Sequence, residues 1–326
     1  MVEEIPGIKF TFCVLAILKI ISLILIGFLL HRINLLTERI INFLYKSLIY
    51  FIVPCWIFNN ILKKFVFFPF WWVVPASSVL IPLVGFLFTR IYLLFRRSLR
   101  IDNNSRELTG LLAFHNCGYL PASLAYFLFA NNTKILEEFL LYIFLYIFGF
   151  NLLIWSIVPG LFKGSFRFKE IITPANCTII ISFLMVAFNL KIDIPWFMIY
   201  PLEVIGKSCY FISMFVIGSL FSLNLPKISN LITKDKLFDF FFLIFGRLFL
   251  IPLVFFLSVY LLKLNNLFGF FLFLQSSMPS AVSLAIISKW KNADTLFVSK
   301  GIFFTHLFSL FSILFWLKLY FLVIGF

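Results

Sequence analysis

The sequence predicts an all-α polytopic membrane protein of ten transmembrane helices, arranged as a 5+5 inverted repeat in which helices 4 and 9 are broken and cross. Three observations predict it. The chain is 63% hydrophobic and 12% charged, whereas soluble domains carry roughly 25% charge. Ten stretches reach the length of about 20 mainly apolar residues that a helix needs to cross the hydrocarbon core. Two short polar segments that each contain a proline, His115 to Pro121 and Gln275 to Ser280, lie inside the fourth and ninth of these stretches.

The expected spans are 11–31, 40–62, 69–95, 108–130, 138–162, 171–190, 201–223, 238–262, 266–288 and 296–325. The first is too long for the apolar core of a signal peptide and has Glu3 and Glu4 before it, so it reads as a retained helix. The sixth is the most diluted, by Asn176, Thr178, Ser182 and Asn189.

Connector charge sets the direction. Odd-numbered loops hold fifteen Lys and Arg, among them Arg96, Arg100, Lys163, Arg167, Lys169, Lys236 and Lys289, whereas the N-terminal segment and even loops hold six: Lys9, Lys63, Lys64, Lys134, Lys191 and Lys263. The positive-inside rule then places odd loops in the cytoplasm and both termini outside, in the plasma (inner) membrane. The basic connector near 163–170 divides the chain into repeats 1–165 and 166–326. Five spans is an odd number, so the second repeat enters from the opposite side, a plan common among secondary transporters. Pro121 and Pro279 then fall at matching depth on oppositely directed helices, each about 20 Å along.

A net charge of +14 invites a nucleic-acid reading, but the basic residues sit in short connectors rather than on a soluble face, which excludes nucleic acid as the partner. Membrane lipids are the natural surroundings. The five cysteines are scattered singly in apolar stretches without metal or redox spacing, so no metal site and no cofactor is expected. The 49 phenylalanines are explained by lipid-facing bulk.

A bilayer has no water to satisfy free backbone groups, so an interrupted helix persists only where protein or a filled cavity repairs it. The freed N–H groups at the start of the second half carry about half a positive charge, which suits an anion. The candidate binding residues are Asn116, which can donate or accept; Gly118, which admits close backbone approach; Pro121 and Pro279; and the hydroxyls of Ser276, Ser277 and Ser280. The plainer alternative is a pair of structural kinks patched by Ser and Asn. Asn151, midway along the fifth span, is a candidate companion to the crossing, with packing against a neighbouring helix as the alternative.

His115 and His306 lie well inside spans and titrate near neutrality, which makes each a candidate proton carrier; a packing histidine is the alternative. Arg247 lies about nine residues into the eighth span, where a charge is costly. It either attracts an anionic substrate or braces the broken ninth helix. Glu203 and Lys207 have the spacing of an intrahelical ion pair. No carboxylate flanks either break, which favours an anion over a cation as cargo.

In these residues the chain resembles the auxin efflux carrier family of membrane transporters. The likeness runs from about residue 20 to 320 and is carried by Gly27 to Leu36, Ile49 to Pro54, Leu111 to Pro121, Ile217 to Leu220, Met278 to Ala285 and Ser299 to Ser309. The seventh span departs, because relatives often place a proline before the glycine where this chain reads Cys209 to Gly218. The resemblance implies a fold shared with bile-acid transporters and sodium/proton exchangers, with spans 1, 2, 6 and 7 as scaffold and spans 3–5 and 8–10 as a mobile transport domain.

The expected function is a secondary carrier for a small organic anion, a carboxylate or auxin-like compound, working by alternating access at a midplane crossing. Coupling to protons through a histidine, or to sodium held by carbonyls and hydroxyls, stays open, as does assembly as a homodimer. The alternative from another class is an intramembrane enzyme using His115 or His306 with a serine nucleophile. It is the weaker reading because no hydrolase motif appears.

Overall fold

The computed structural model describes residues 10–64, 71–98, 105–162, 172–188, 190, 195–228, 234–264 and 266–324. The first half of the chain forms α1 (Phe10–Arg32), α2 (Glu38–Ser47), α3 (Val53–Lys64), α4 (Val73–Ser77), α5 (Leu80–Ser98), α6 (Ser105–Ala113), α7 (Tyr119–Leu128) and α8 (Thr133–Leu161). The rest of the chain forms α9 (Pro174–Ala187), α10 (Trp196–Ile228), α11 (Lys234–Phe245), α12 (Ile251–Leu261), α13 (Leu267–Ser276), α14 (Ser283–Trp290) and α15 (Thr295–Val323). Among the described residues there is no β-strand.

Among the described residues seven helical stretches are long and apolar enough to cross a membrane: Cys13–Arg32, Glu38–Leu62, Val73–Arg96, Thr133–Leu161, Ile199–Leu223, Lys236–Leu261 and Thr295–Val323. The protein is an all-helical integral membrane protein. The three other expected spans take a different form. The sixth is represented by the 14-residue α9, and the fourth and ninth are each two short helices, α6 with α7 and α13 with α14. The boundary expected between repeats, together with Lys9, Arg100, Lys163, Arg167, Lys169, Lys191 and Asn189, lies outside the described residues.

Local chemistry sets the ends. Asn132, Thr173, Asn266 and Asp294 cap α8, α9, α13 and α15, each side chain accepting a backbone N–H in the first turn. Two long helices carry a π turn, at Leu48–Ile52 before Pro54 and at Gly246–Leu250 before Pro252. A proline supplies no N–H and crowds the carbonyl four residues back. For Pro252 that carbonyl is Leu248, and the indole of Trp316 donates to it at 2.8 Å.

Packing is closest between α1 and α10. A Cβ on Gly27 would run into the Phe215 carbonyl and one on Gly218 into the Ile24 carbonyl, so small residues let the two backbones touch, as in membrane helix pairs generally. Nearby, His31 Nδ1 lies 2.7 Å from the Ser222 hydroxyl. The expected Glu203–Lys207 pair forms at 2.9 Å. A second, buried pair links α5 to α11: Arg96 meets Asp239 at 2.9 Å, and Tyr92 donates to the same carboxylate oxygen at 2.7 Å.

Candidate functional site

The two interruptions meet. Residues 114–118 link α6 to α7, residues 277–282 link α13 to α14, and the links pass antiparallel with His115 opposite Ser280. The Asn116 amide donates to the Pro279 carbonyl at 2.7 Å and the Ala281 amide to the Phe114 carbonyl at 2.9 Å. Gln275 Nε2 adds a third tie, to the Cys117 carbonyl at 3.1 Å. Each link therefore satisfies one N–H and one carbonyl of the other.

The fourth-span break falls upstream of its proline. Pro121 is the third residue of α7, where a missing N–H costs nothing because first-turn N–H groups have no helical acceptor. The N–H groups of Gly118, Tyr119 and Leu120 meet no acceptor among the described residues. At Gly118 a hypothetical Cβ would lie 3.3 Å from the end of the Ile147 side chain, a tight contact that this side chain would have to yield to admit. Pro279 lies within the second link, its carbonyl taken by Asn116.

Arg247 is fully buried and reaches three carbonyls: Nε donates to Met278 at 2.8 Å, an Nη to Ser276 at 2.8 Å and the other Nη to Leu112 at 3.2 Å. Leu112 lies at the C-terminal end of α6, Ser276 ends α13, and Met278 follows it. The guanidinium thus braces both broken helices rather than the ninth alone. It faces no carboxylate among the described residues.

The serines are less available than their positions indicate. Ser276 and Ser277 both donate to the Phe273 carbonyl of their own helix, and Ser280 donates to the Leu111 carbonyl at 2.7 Å. A hydroxyl has one proton, so none of the three has one left for an anion. Asn151 joins the sixth span, not the crossing, by donating to the Asn176 side chain at 3.3 Å.

Both interior histidines touch the crossing. His306 Nδ1 lies 2.9 Å from the Ile302 carbonyl and Nε2 lies 3.3 Å from Asn116 Nδ2. His115 is fully buried, with Nε2 3.3 Å from the Tyr146 hydroxyl and Nδ1 without a partner among the described residues. Among the described residues neither ring contacts a serine hydroxyl; their side-chain partners are Asn116 and Tyr146. Sequence reasoning missed Tyr146; a phenol in an apolar helix needs a polar partner, and that was the available signal.

A cavity of about 830 Å³ lies beside the crossing. Glu38 and Tyr45 of α2, Phe221 of α10, Lys289 of α14 and Ile302 of α15 line it, and it reaches Val282, the residue before α14. The Phe221 ring also meets the His306 ring edge-on, with centroids 5.7 Å apart.

Paired broken helices packed inside an all-helical membrane protein define a membrane transporter. The profile of the membrane transport protein family, the auxin efflux carrier-like transporters, matches residues 12–165 and 161–317, and the chain belongs to that family. No curated protein matches the chain.

Proposed function

We propose that the protein is a secondary carrier for a small organic anion, with the substrate carboxylate held at the crossing. The observation that carries this reading is the placement of Arg247. In an antiparallel crossing each half-helix C-terminus lies beside the N-terminus of the other pair, and their partial charges offset. Arg247 takes up carbonyls at both C-terminal ends, which leaves the N-termini of α7 and α14 as positive ends without counter-charge. Asn116 adds a side-chain amide, and among the described residues no carboxylate pairs with Arg247. A cation would find three of the crossing carbonyls already occupied.

The wider reading is ten spans in two inverted repeats of five, divided near residue 165, in the plasma (inner) membrane with both termini outside. Spans 1, 2, 6 and 7 form the scaffold, and spans 3–5 with 8–10 form the moving domain, in which α6, α7, α13 and α14 are the broken helices. The cavity between α2 and α10 on one side and α14 and α15 on the other lies between those two bodies. Lys289 and the start of α2 belong to loops expected in the cytoplasm, so the cavity is the inner half of an alternating-access path.

The test is uptake into vesicles of purified protein, across mono- and dicarboxylates, with Asn116→Ala beside wild type. Carboxylate uptake that falls in the variant while its melting temperature holds supports the reading. Uptake of amines in place of carboxylates, or full activity in the variant, rejects it.

A further inference from the structure

The His306 ring and the Asn116 side-chain amide are in contact at the crossing. The Ile302 carbonyl can only accept, so Nδ1 of His306 carries a proton and Nε2 of the neutral ring is a bare lone pair. Asn116 answers it with Nδ2–H at 3.3 Å. One of its two N–H donors is thereby occupied by the histidine, and its carbonyl oxygen is turned away from the ring. Adding a proton at Nε2 reverses the arrangement. The imidazolium needs an acceptor there, so the amide rotates to present its oxygen, and both N–H donors are released.

We infer that His306 is a positioning residue that couples one proton to one anion: protonation turns Asn116 into a two-donor clamp for a carboxylate, and the carboxylate supplies the counter-charge that an imidazolium in this place lacks. The inference rests on the crossing being the anion site. Cargo and proton then bind cooperatively, each raising the affinity of the other by the same factor.

The surroundings leave His306 as the responsive group. From α10 it meets the Phe221 ring, and on its own helix Thr305 and Ser309 donate to backbone carbonyls. Asp294, which pairs with Lys236 of α11 and accepts no closer than the start of α15, is twelve residues away, about 18 Å along the helix. Glu107 of α6 accepts from the Asp294 amide. Asp239 of α11 is held by Arg96, and Lys207 of α10 by Glu203. Arg247 is tied to carbonyls. On α1, Lys19 lies over the Phe127 ring and His31 contacts Ser222. Lys289 of α14 lines the cavity, and His115 faces Tyr146.

The experiment is a thermal-shift titration of the purified protein with benzoate and indole-3-acetate, monocarboxylates that are almost entirely ionised across the interval used, from about pH 6 to about pH 8. In wild type the affinity for whichever probe binds should weaken by up to about tenfold per pH unit as pH rises. His306→Gln should flatten that slope, while His115→Gln and His31→Gln should keep it. Should His306→Gln fail to fold, His306→Phe takes its place. In wild type alone, probe addition in weak buffer at about pH 7 should draw protons from solution. A probe that binds without a pH slope, a slope kept without His306, or binding without proton uptake overturns the coupling and leaves the anion site standing. If no carboxylate binds at any pH, the anion site falls as well.

Discussion

Asn116 and Pro279 belong to different interrupted helices, and the amide of the first donates to the carbonyl of the second at 2.7 Å. Proline can accept but not donate, so the tie runs one way, and Asn116 is held by its backbone while its side chain stays free to serve His306. Asn116 is therefore fixed at its main chain and adjustable at its amide, which is what the proposed function asks of a residue that meets the substrate.

Asn116→Leu should abolish carboxylate uptake or weaken it by about ten- to a hundredfold, the range for losing one hydrogen bond to a charged group. The backbone tie to Pro279 survives the change, so the melting temperature should move little. Uptake and melting are measured on the same preparation.

Arg247→Met should be severely destabilising, because three buried carbonyls lose their donor, each at a cost of about 1–3 kcal/mol. Arg247→Lys keeps the charge without the planar fork and should fall between. The order wild type, Lys, Met in detergent melting temperature is the check.

Asp239→Asn should destabilise by about 3–5 kcal/mol, since Arg96 is buried with it and would be left as an uncompensated charge. Removing both charges, as Arg96→Met with Asp239→Leu, should recover most of the loss. A double-mutant cycle on melting measures the coupling.

Gly218→Ala places a methyl against the Ile24 carbonyl where α1 and α10 touch. Overpacking of this kind costs about 1–3 kcal/mol, and Gly27→Ala should do the same against Phe215. Both should shift size-exclusion profiles toward aggregate, whereas Gly160→Ala, which meets nothing within 4 Å, should not.

Lys289→Cys should react with a membrane-impermeant maleimide, because Lys289 lines the cavity, and from the cytoplasmic side alone if connector charge sets the orientation. Four native cysteines are buried, leaving Cys177 as the one to replace with Ser among them. Labelling from the opposite side would reverse the orientation.

Much of the architecture was legible because it depends on local chemistry. Apolar length marks the spans and a polar run containing proline marks each interruption. What could not be read depends on partners distant in the chain. Arg247 was visible as a buried charge able to brace the broken ninth helix, which its bonds to Ser276 and Met278 do, but its third acceptor, Leu112, lies 135 residues away and nothing in its neighbours names it. The serines illustrate the opposite error. Their hydroxyls suit a substrate on paper, yet the nearest free carbonyls are on their own helix or on α6, and those win. Asn151 has the same lesson, since Asn176 offered a neutral partner nearer than the crossing. The offset between Pro121 and the break follows from helix geometry, as a proline is tolerated in a first turn and so marks the start of α7 rather than the gap before it.

The π turn at Gly246–Leu250 makes Arg247 sensitive to residue number as well as to residue type. Such a turn accommodates one residue more than an α turn, and one residue is about 100° of rotation. Deleting a single apolar residue from this turn would leave the composition and charge of the span nearly unchanged. It would swing the guanidinium toward another face relative to α12, and Leu248 away from Trp316. The aim of the buried cation is thus set by counting, and an in-frame loss of one codon would be as damaging as replacing the arginine itself.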